Sequence, residues 1–326
     1  MSQNIEFNKK KISICTDFDK NLKLYNLPEK LRLKIIKNKK FEIINFDYDN
    51  AKCKEATIYW GNLIDDKRIK FLKNLKWIHL GSAGYDKIKK KNSIASIKLT
   101  RSKGIMSSSV SESVFNFIFI FLRRFDRCLV LRGKKALNRK NFDSYFDEVK
   151  NIKDCSFLIF GYGDISRNFV SKLKYFSKSV DIISDSAKNS KMKKIKKFDF
   201  IKKKIDYDFV ISFLPEKKKY INFFNSNFFK KMKSDSFFIN VGRGSAVNEK
   251  DLFRSLKKNI ILGAALDVFK DEPLKNTNPL LTLDNCLITP HIAGLFNKYW
   301  TLQENLFMSN LKNFLSNKKL KNVVNL

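Results

Sequence analysis

The stretch that most constrains this chain is CSFLIFGYGDIS, from Cys155 to Ser166. An apolar run, Phe157-Leu158-Ile159-Phe160, meets Gly161-Tyr162-Gly163-Asp164-Ile165-Ser166, and an amphipathic segment from Phe169 to Phe176 follows. Strand, tight glycine turn and helix in that order bring the N–H groups of a helix start up to a dinucleotide pyrophosphate. Gly161 permits the turn and Gly163 lets backbone approach phosphate. Ser166 stands where a third glycine is usual, so strand–helix packing must tolerate one hydroxymethyl group. Such a turn is equally well a plain structural connection. Its weight comes from what surrounds it.

The flanking sequence alternates in type. Lys11–Cys15, Phe41–Phe46, Ala56–Trp60 and Trp77–Leu80 read as short strands. Leu27–Ile36 reads as a helix with Pro28 near its start, where a missing N–H costs little, and Lys67–Leu75 as another. Beyond the glycine turn, Val180–Ser184, Phe209–Leu214, Phe237–Val241 and Ile260–Leu266 are further buried strands. The Phe228–Lys231 stretch with Met232 gives an intervening helix, and Asn305–Leu315 a final one. Alternating β and α segments predict parallel sheets. Ser109-Val110-Ser111-Glu112 has capping-box spacing and leads into a Phe-rich helix predicted over Val114–Arg132, a candidate domain link and subunit contact. The lysine-rich stretch Gly133–Asp154 reads as loop or short helices.

A length of 326 residues accommodates two domains with ordinary cores, and 43% hydrophobic content places the chain outside the disordered class. The longest helical apolar run, Val114–Leu122, falls short of the roughly 20 residues a bilayer requires. The opening MSQNIEFNKKK lacks the apolar core of a signal peptide. Cys15, Cys53, Cys128, Cys155 and Cys286 form no CxxC pair, so reduced thiols in the cytoplasm are the simplest expectation, with no metal site. The net charge of +34 raises the question of a nucleic-acid or membrane partner. Its lysines, however, are spread along the whole chain rather than gathered on one stretch. Neither Lys37-Asn38-Lys39-Lys40 nor Lys191-Met192-Lys193-Lys194 carries the interleaved aromatics of a single-strand stacking platform.

Three segments each follow a predicted strand: Asn240–Gly244 (NVGRG), Asp267–Leu274 (DVFKDEPL) and Thr289–Gly294 (TPHIAG). The carboxyl ends of strands in an open α/β sheet line its ligand crevice, so Arg243, Glu272 and His291 are expected to converge there. Arginine can bind a carboxylate and polarise a carbonyl, and a histidine beside a carboxylate can deliver a proton near neutral pH. That trio suits a 2-keto or 2-hydroxy acid. Of the two histidines, His79 lies in an apolar strand and reads as a core residue. The small-residue turn Gly81–Asp86, with Ser82, Ala83 and Gly84, suits a carboxylate through its backbone N–H groups. An acid at the end of the second strand would grip a ribose diol, and Asp185 sits about there. Lys188 and Lys191 follow and would favour a 2′-phosphate, so both NAD and NADP remain open.

In this order, GYGDIS, NVGRG, DVFKDEPL and TPHIAG resemble the motifs of the D-isomer-specific 2-hydroxyacid dehydrogenase family, and the likeness runs from about Trp77 to Gly294. The resemblance implies two Rossmann-like parallel-sheet domains: a discontinuous substrate domain (1–100 with 295–326) and a central dinucleotide-binding domain (101–294). It implies Arg243 on the substrate carboxylate and carbonyl, His291 as general acid/base and Glu272 as its partner. It further implies Asp267 at the nicotinamide end, and Gly161, Tyr162, Gly163, Asp164, Ile165, Asp185 and Pro215 along the NAD or NADP. A homodimer is implied as well. Ser166, the acidic Asp164 (with Arg167 beside it) and the segment Pro215-Glu216-Lys217-Lys218-Lys219, which lacks the family's threonines, depart from the pattern and bear on cofactor affinity.

The Tyr59-Trp60-Gly61-Asn62 turn, with Trp60, is expected to face the substrate side chain, and it offers no cation for a phosphate. Glyoxylate, hydroxypyruvate or a larger apolar keto acid is therefore the expected substrate, with domain closure excluding water before transfer. The reading from another class is a nucleotide-sensing or nucleic-acid-associated protein on the same fold. It would bind DNA or RNA with strong salt dependence.

Overall fold

The computed structural model describes residues 11–18, 21–22, 25–85, 88, 96–177, 179–185, 195–196 and 204–324. Lys188, Lys191 and Asp86 lie outside them. The chain divides into two compact units, Met1–Ile105 with Phe296–Leu326, and Met106–Leu295.

The first unit opens β1 (Ile12–Asp17), α1 (Glu29–Ile36), β2 (Phe41–Asn45), α2 (Ala51–Lys54), β3 (Ile58–Gly61), α3 (Asp66–Phe71), β4 (Trp77–Leu80) and β5 (Lys98–Arg101). Pro28 caps α1 at φ −60°, Glu29 begins its first turn, and Leu31 and Ile35, four apart on one face, are buried. Asp65 caps α3 by accepting from the Arg68 N–H at 2.8 Å. The strands form one parallel sheet in the order β2-β1-β3-β4-β5, a doubly wound arrangement whose strand order reverses between β1 and β3.

The second unit begins with α4 (Ser107–Leu122), α5 (Phe125–Gly133) and α6 (Arg139–Asp143). The single helix expected over 114–132 is broken: Arg124 adopts the left-handed region at φ 51°. Its guanidinium is wholly buried between Asp126 (2.9 Å) and Glu148 (3.3 Å), so an ion-pair cluster ends the helix where the apolar pattern continues. The expected capping box is also corrected. Ser109–Glu112 lies inside α4, and Ser108 donates to Glu112 along its exposed face at 2.8 Å.

The chain continues through β6 (Phe157–Phe160), α7 (Asp164–Leu173), β7 (Val180–Ile183), β8 (Ile195–Lys196), β9 (Phe209–Ser212), α8 (Ser226–Phe229), β10 (Phe237–Asn240), α9 (Glu249–Lys257), β11 (Gly263–Leu266) and β12 (Cys286–Ile288). The second parallel sheet runs β12-β11-β10-β9-β6-β7-β8, with its order reversing between β6 and β9. Strands buried on both faces explain the unbroken runs FLIF, FVIS, FFIN and GAAL. Phe157, Phe209, Phe237 and Phe121 stack in a row at 5.2, 5.3 and 4.4 Å between centroids, each contact adding about 1 kcal/mol beyond area burial.

The chain then returns to the first unit as α10 (Tyr299–Leu315), which starts six residues earlier than the Asn305 read from the sequence. Phe307 of α10 lies flat on Trp60 at 3.8 Å and on Trp77 at 5.4 Å. Trp60 is thus a core side chain with no exposed surface, which corrects its expected place facing a substrate. Strand β3 is buried on both faces; alternation puts Tyr59 on one and Trp60 on the other, the face that α10 covers. His79 is core, as expected: it is fully buried, with Nδ1 2.7 Å from Thr100 Oγ1. No helix among the described residues is long and apolar enough to cross a membrane.

Candidate active site

The glycine turn sits where the second sheet reverses its order. Gly161 has φ +92°, and a Cβ there would lie 3.1 Å from the Phe213 carbonyl oxygen at the end of β9. Gly163 is the N-cap of α7, and a Cβ built on it meets nothing within 4 Å. The turn therefore keeps an open approach to the first turn of the helix, whose leading N–H groups have no partner inside the helix. That cradle fits a dinucleotide pyrophosphate. Ser166 is buried and its hydroxyl donates to the Gly163 carbonyl at 3.1 Å, which is how the packing accommodates it. Asp164 opens the helix, Ile165 is half-buried, and Arg167 stacks over the Tyr162 ring at 5.1 Å. Pro215 is exposed just past β9.

Asp185 follows β7 by two positions. Its carboxylate accepts from the Tyr220 hydroxyl at 2.5 Å and from the Lys219 ammonium. Partial burial opposes its ionisation, but these two donors outweigh that and hold Asp185 below the usual carboxylate range. Among the described residues the cation beside this acid is Lys219, from the short helical turn after β9; Lys188 and Lys191 lie outside them.

The three loops of the second unit are locked together by close backbone approach. Gly242 has no room for a Cβ, which would lie 2.6 Å from Leu214 N, and one on Gly244 would lie 1.8 Å from the Phe269 carbonyl carbon. Only glycine lets the Arg243 loop seat against the loop that carries Glu272. Asn240 is fully buried and braces the same loop, accepting from the Gly242 N–H and donating to the Arg243 carbonyl, both at 3.1 Å. No role for it was read from the sequence, although it heads the NVGRG segment. Arg243 donates to the Gly242 carbonyl at 2.8 Å, and its charge acts on both Glu272 and His291.

His291 Nδ1 lies 2.7 Å from Glu272 Oε2, and Glu272 Oε1 accepts from the Phe269 N–H at 2.9 Å. The hydrogen bond to Glu272 is the main cause that raises the His291 pKa above its usual value, working against partial burial. Burial opposes ionisation of Glu272, but the bond from His291 prevails and the carboxyl is held below its usual range. Both directions favour an imidazolium–carboxylate pair. With Nδ1 engaged, Nε2 is the nitrogen left to face a reactant, and the imidazole is half-exposed.

His291 adopts φ +55°, a left-handed conformation costing a non-glycine residue about 1 kcal/mol. Asp267 holds it there. Its carboxylate is buried and accepts from Thr289 Oγ1 (2.6 Å), the Ile292 N–H (2.8 Å) and the Ala293 N–H (3.1 Å). Burial raises its pKa despite those donors. Both oxygens of Asp267 thus engage the His291 loop, Oδ2 through the Ala293 N–H alone. In the first unit, Ser82, Ala83 and Gly84 are half-buried just past β4.

The family model described as the D-isomer specific 2-hydroxyacid dehydrogenase, NAD binding domain, matches residues 122–293. The chain is 28% identical over 254 residues to the glyoxylate reductase of Thermofilum pendens, covering 75% of this chain and 74% of that protein. It is 44% identical over 87 residues to the human glyoxylate reductase/hydroxypyruvate reductase, a stretch that spans 27% of this chain and only 26% of the human protein. The fold matches that of the NAD-dependent formate dehydrogenase from Staphylococcus aureus solved with NAD, with a TM-score of 0.79, 18% identity, and coverage of 97% of this chain and 99% of that one.

Proposed function

This chain belongs to the D-isomer-specific 2-hydroxyacid dehydrogenase family, and from that premise we propose that it reduces a small 2-keto acid to the D-2-hydroxy acid, with NADH or NADPH as the reductant. The observation that carries the reading is the 2.7 Å His291–Glu272 pair beside Arg243. Arg243 binds the substrate's carboxylate and polarises its carbonyl. His291, kept protonated by Glu272, gives the proton from Nε2 to the carbonyl oxygen, and in the reverse direction takes it back. Asp267 and Asn240 act at one remove by fixing the loops that carry these two side chains. The N–H groups of Ser82, Ala83 and Gly84 receive the carboxylate. The bound nicotinamide dinucleotide supplies the hydride.

Gly161, Tyr162, Gly163, Asp164 and Ile165 would hold the pyrophosphate at the start of α7, and Pro215 would border the same crevice. Asp185 would meet the adenosine ribose. Lys219 beside it offsets the charge that would repel a 2′-phosphate, which supports acceptance of NADPH as well as NADH. Glyoxylate, hydroxypyruvate and larger apolar keto acids are the favoured substrates.

A homodimer joined through the second unit is supported by large apolar side chains that unit leaves exposed: Phe125 at 56%, Leu129 at 61% and Phe146 at 73%. Free thiols at all five cysteines agree with a reducing, cytoplasmic setting. The dispersed lysines fit a solvated surface better than a nucleic-acid interface.

The test is a panel of keto acids offered to the purified protein with NADH and with NADPH. Keto-acid-dependent oxidation of either cofactor is the expected outcome. No turnover with any acid, together with salt-sensitive binding of DNA or RNA, would transfer the assignment to a nucleic-acid-associated protein.

A further inference from the structure

The turn after β4 is held by its carbonyls. The Gly81 carbonyl accepts two donors from α10, the Tyr299 hydroxyl at 2.9 Å and Gln303 Nε2 at 2.5 Å. The Ser82 carbonyl accepts from the Ser102 N–H at 3.0 Å, and the Ala83 carbonyl from the Arg101 guanidinium at 2.8 Å. Tyr299 and Gln303 are buried, and because the Gly81 carbonyl can only accept, the Gln303 amide turns its NH2 toward Gly81 and its Oε1 toward Ser102 Oγ, 2.8 Å away. Gly81 itself is squeezed: a Cβ there would lie 2.8 Å from both Asn62 Oδ1 and the Phe18 ring.

A trans peptide is planar, with its C=O and the following N–H pointing in opposite directions. The cis bond of the described chain lies elsewhere, at Glu272-Pro273. Pinning the Gly81 carbonyl against α10 therefore aims the Ser82 N–H away from that helix. Pinning the Ala83 carbonyl on Arg101 likewise fixes the Gly84 N–H. Among the described residues no backbone carbonyl takes the N–H of Ser82, Ala83 or Gly84. A plain tie between α10 and β4 would need only apolar contact, which the neighbouring Phe307 already makes with Trp77. Two buried donors on one carbonyl at the mouth of a turn do something else: they set the direction of a peptide dipole.

We propose that Tyr299, Gln303 and Arg101 are positioning residues for the substrate's carboxylate, holding the Ser82 and Gly84 N–H groups in a fixed direction to receive it. This rests on the reading of that turn as the carboxylate site. Preset donors add affinity because no ordering is left to be done when the anion arrives.

The experiment is steady-state kinetics of Tyr299→Phe and Gln303→Met, varying glyoxylate and the reduced nicotinamide separately. Each variant is expected to raise the KM for glyoxylate about fivefold, the effect of one lost hydrogen bond, while kcat and the KM for the cofactor stay near wild type. An unchanged glyoxylate KM with a lowered unfolding temperature would overturn the proposal and leave a structural tie. So would an equal rise in both KM values. If Gln303→Met does not fold, Tyr299→Phe, which loses one oxygen, decides alone. If the wild type does not turn over, the functional reading fails separately. Amide shifts of Ser82 and Gly84 on glyoxylate titration then judge the turn directly: they should move in the wild type and respond more weakly in Tyr299→Phe, and the proposal is lost if they do not move.

Discussion

The two histidines of this chain sit in opposite environments. His79 lies inside the first unit among Trp77, Thr100 and Phe307, with no exposed surface, and burial pushes its pKa down to about 3. His291 stands half-exposed on a loop of the second unit, and Glu272 pushes its pKa up. Burial favours the neutral form of one imidazole, and a single carboxylate favours the charged form of the other. Being a histidine decides nothing; the partner and the solvent decide. Linkage gives the two opposite signs. The neutral form of His79 supports the fold above about pH 6.5, the ordinary histidine value, and that support is lost as the pH falls toward its depressed pKa of about 3. The charged form of His291 supports the fold below its ordinary value and ceases to as the pH rises through its raised one.

Exchanging the two roles by substitution gives the largest expected effect. His291→Asn should lower turnover by about a hundredfold or more, the usual contribution of a general acid, with little change in thermal unfolding. His79→Leu should leave turnover intact, because Thr100 Oγ1 can donate instead to the Ile78 carbonyl 3.3 Å away. It should also make unfolding less sensitive to acid, readable as the unfolding midpoint against pH. A catalytic loss in His79→Leu as large as that in His291→Asn would break the comparison.

The second effect separates two glycines. Gly163→Ala places its methyl in open space, so the fold should tolerate it while the KM for the nicotinamide cofactor rises by about tenfold through lost backbone approach. Gly244→Ala meets the Phe269 backbone and should instead lose both stability and turnover. Parallel thermal melts and cofactor titrations check both. The smallest effect is at the ribose end. Lys219→Ala should lower kcat/KM for NADPH relative to NADH by about threefold, as fits an exposed ion pair worth under about 1 kcal/mol. An unchanged ratio would remove Lys219 from cofactor choice.

How much of this was legible without coordinates differs by residue. The glycine turn and the Arg243, Glu272 and His291 loops could be read because each needs a particular residue type in a short span. The sheets could be read because doubly buried strands leave unbroken apolar runs. Trp60 could not be placed, since a strand pattern does not say which face meets α10. The bracing of the His291 loop by Asp267, and the parts played by Lys219 and Gln303, were missed for a shared reason. Each acts on a segment distant in sequence, and local pattern carries no record of that partner. Arg124 broke a helix that its apolar neighbours would have continued, because Asp126 and the distant Glu148 outweigh helix propensity.

The most direct test of the central claim, that Glu272 keeps His291 charged for proton delivery, is the pH dependence of keto-acid reduction in the wild type and in Glu272→Gln. The raised His291 pKa predicts that wild-type turnover persists to a pH above the ordinary histidine value and falls beyond it. Removing the carboxylate's charge should move that falling limb toward acid and lower the rate at neutral pH about tenfold. A limb that stays in the same place in both proteins would contradict the account.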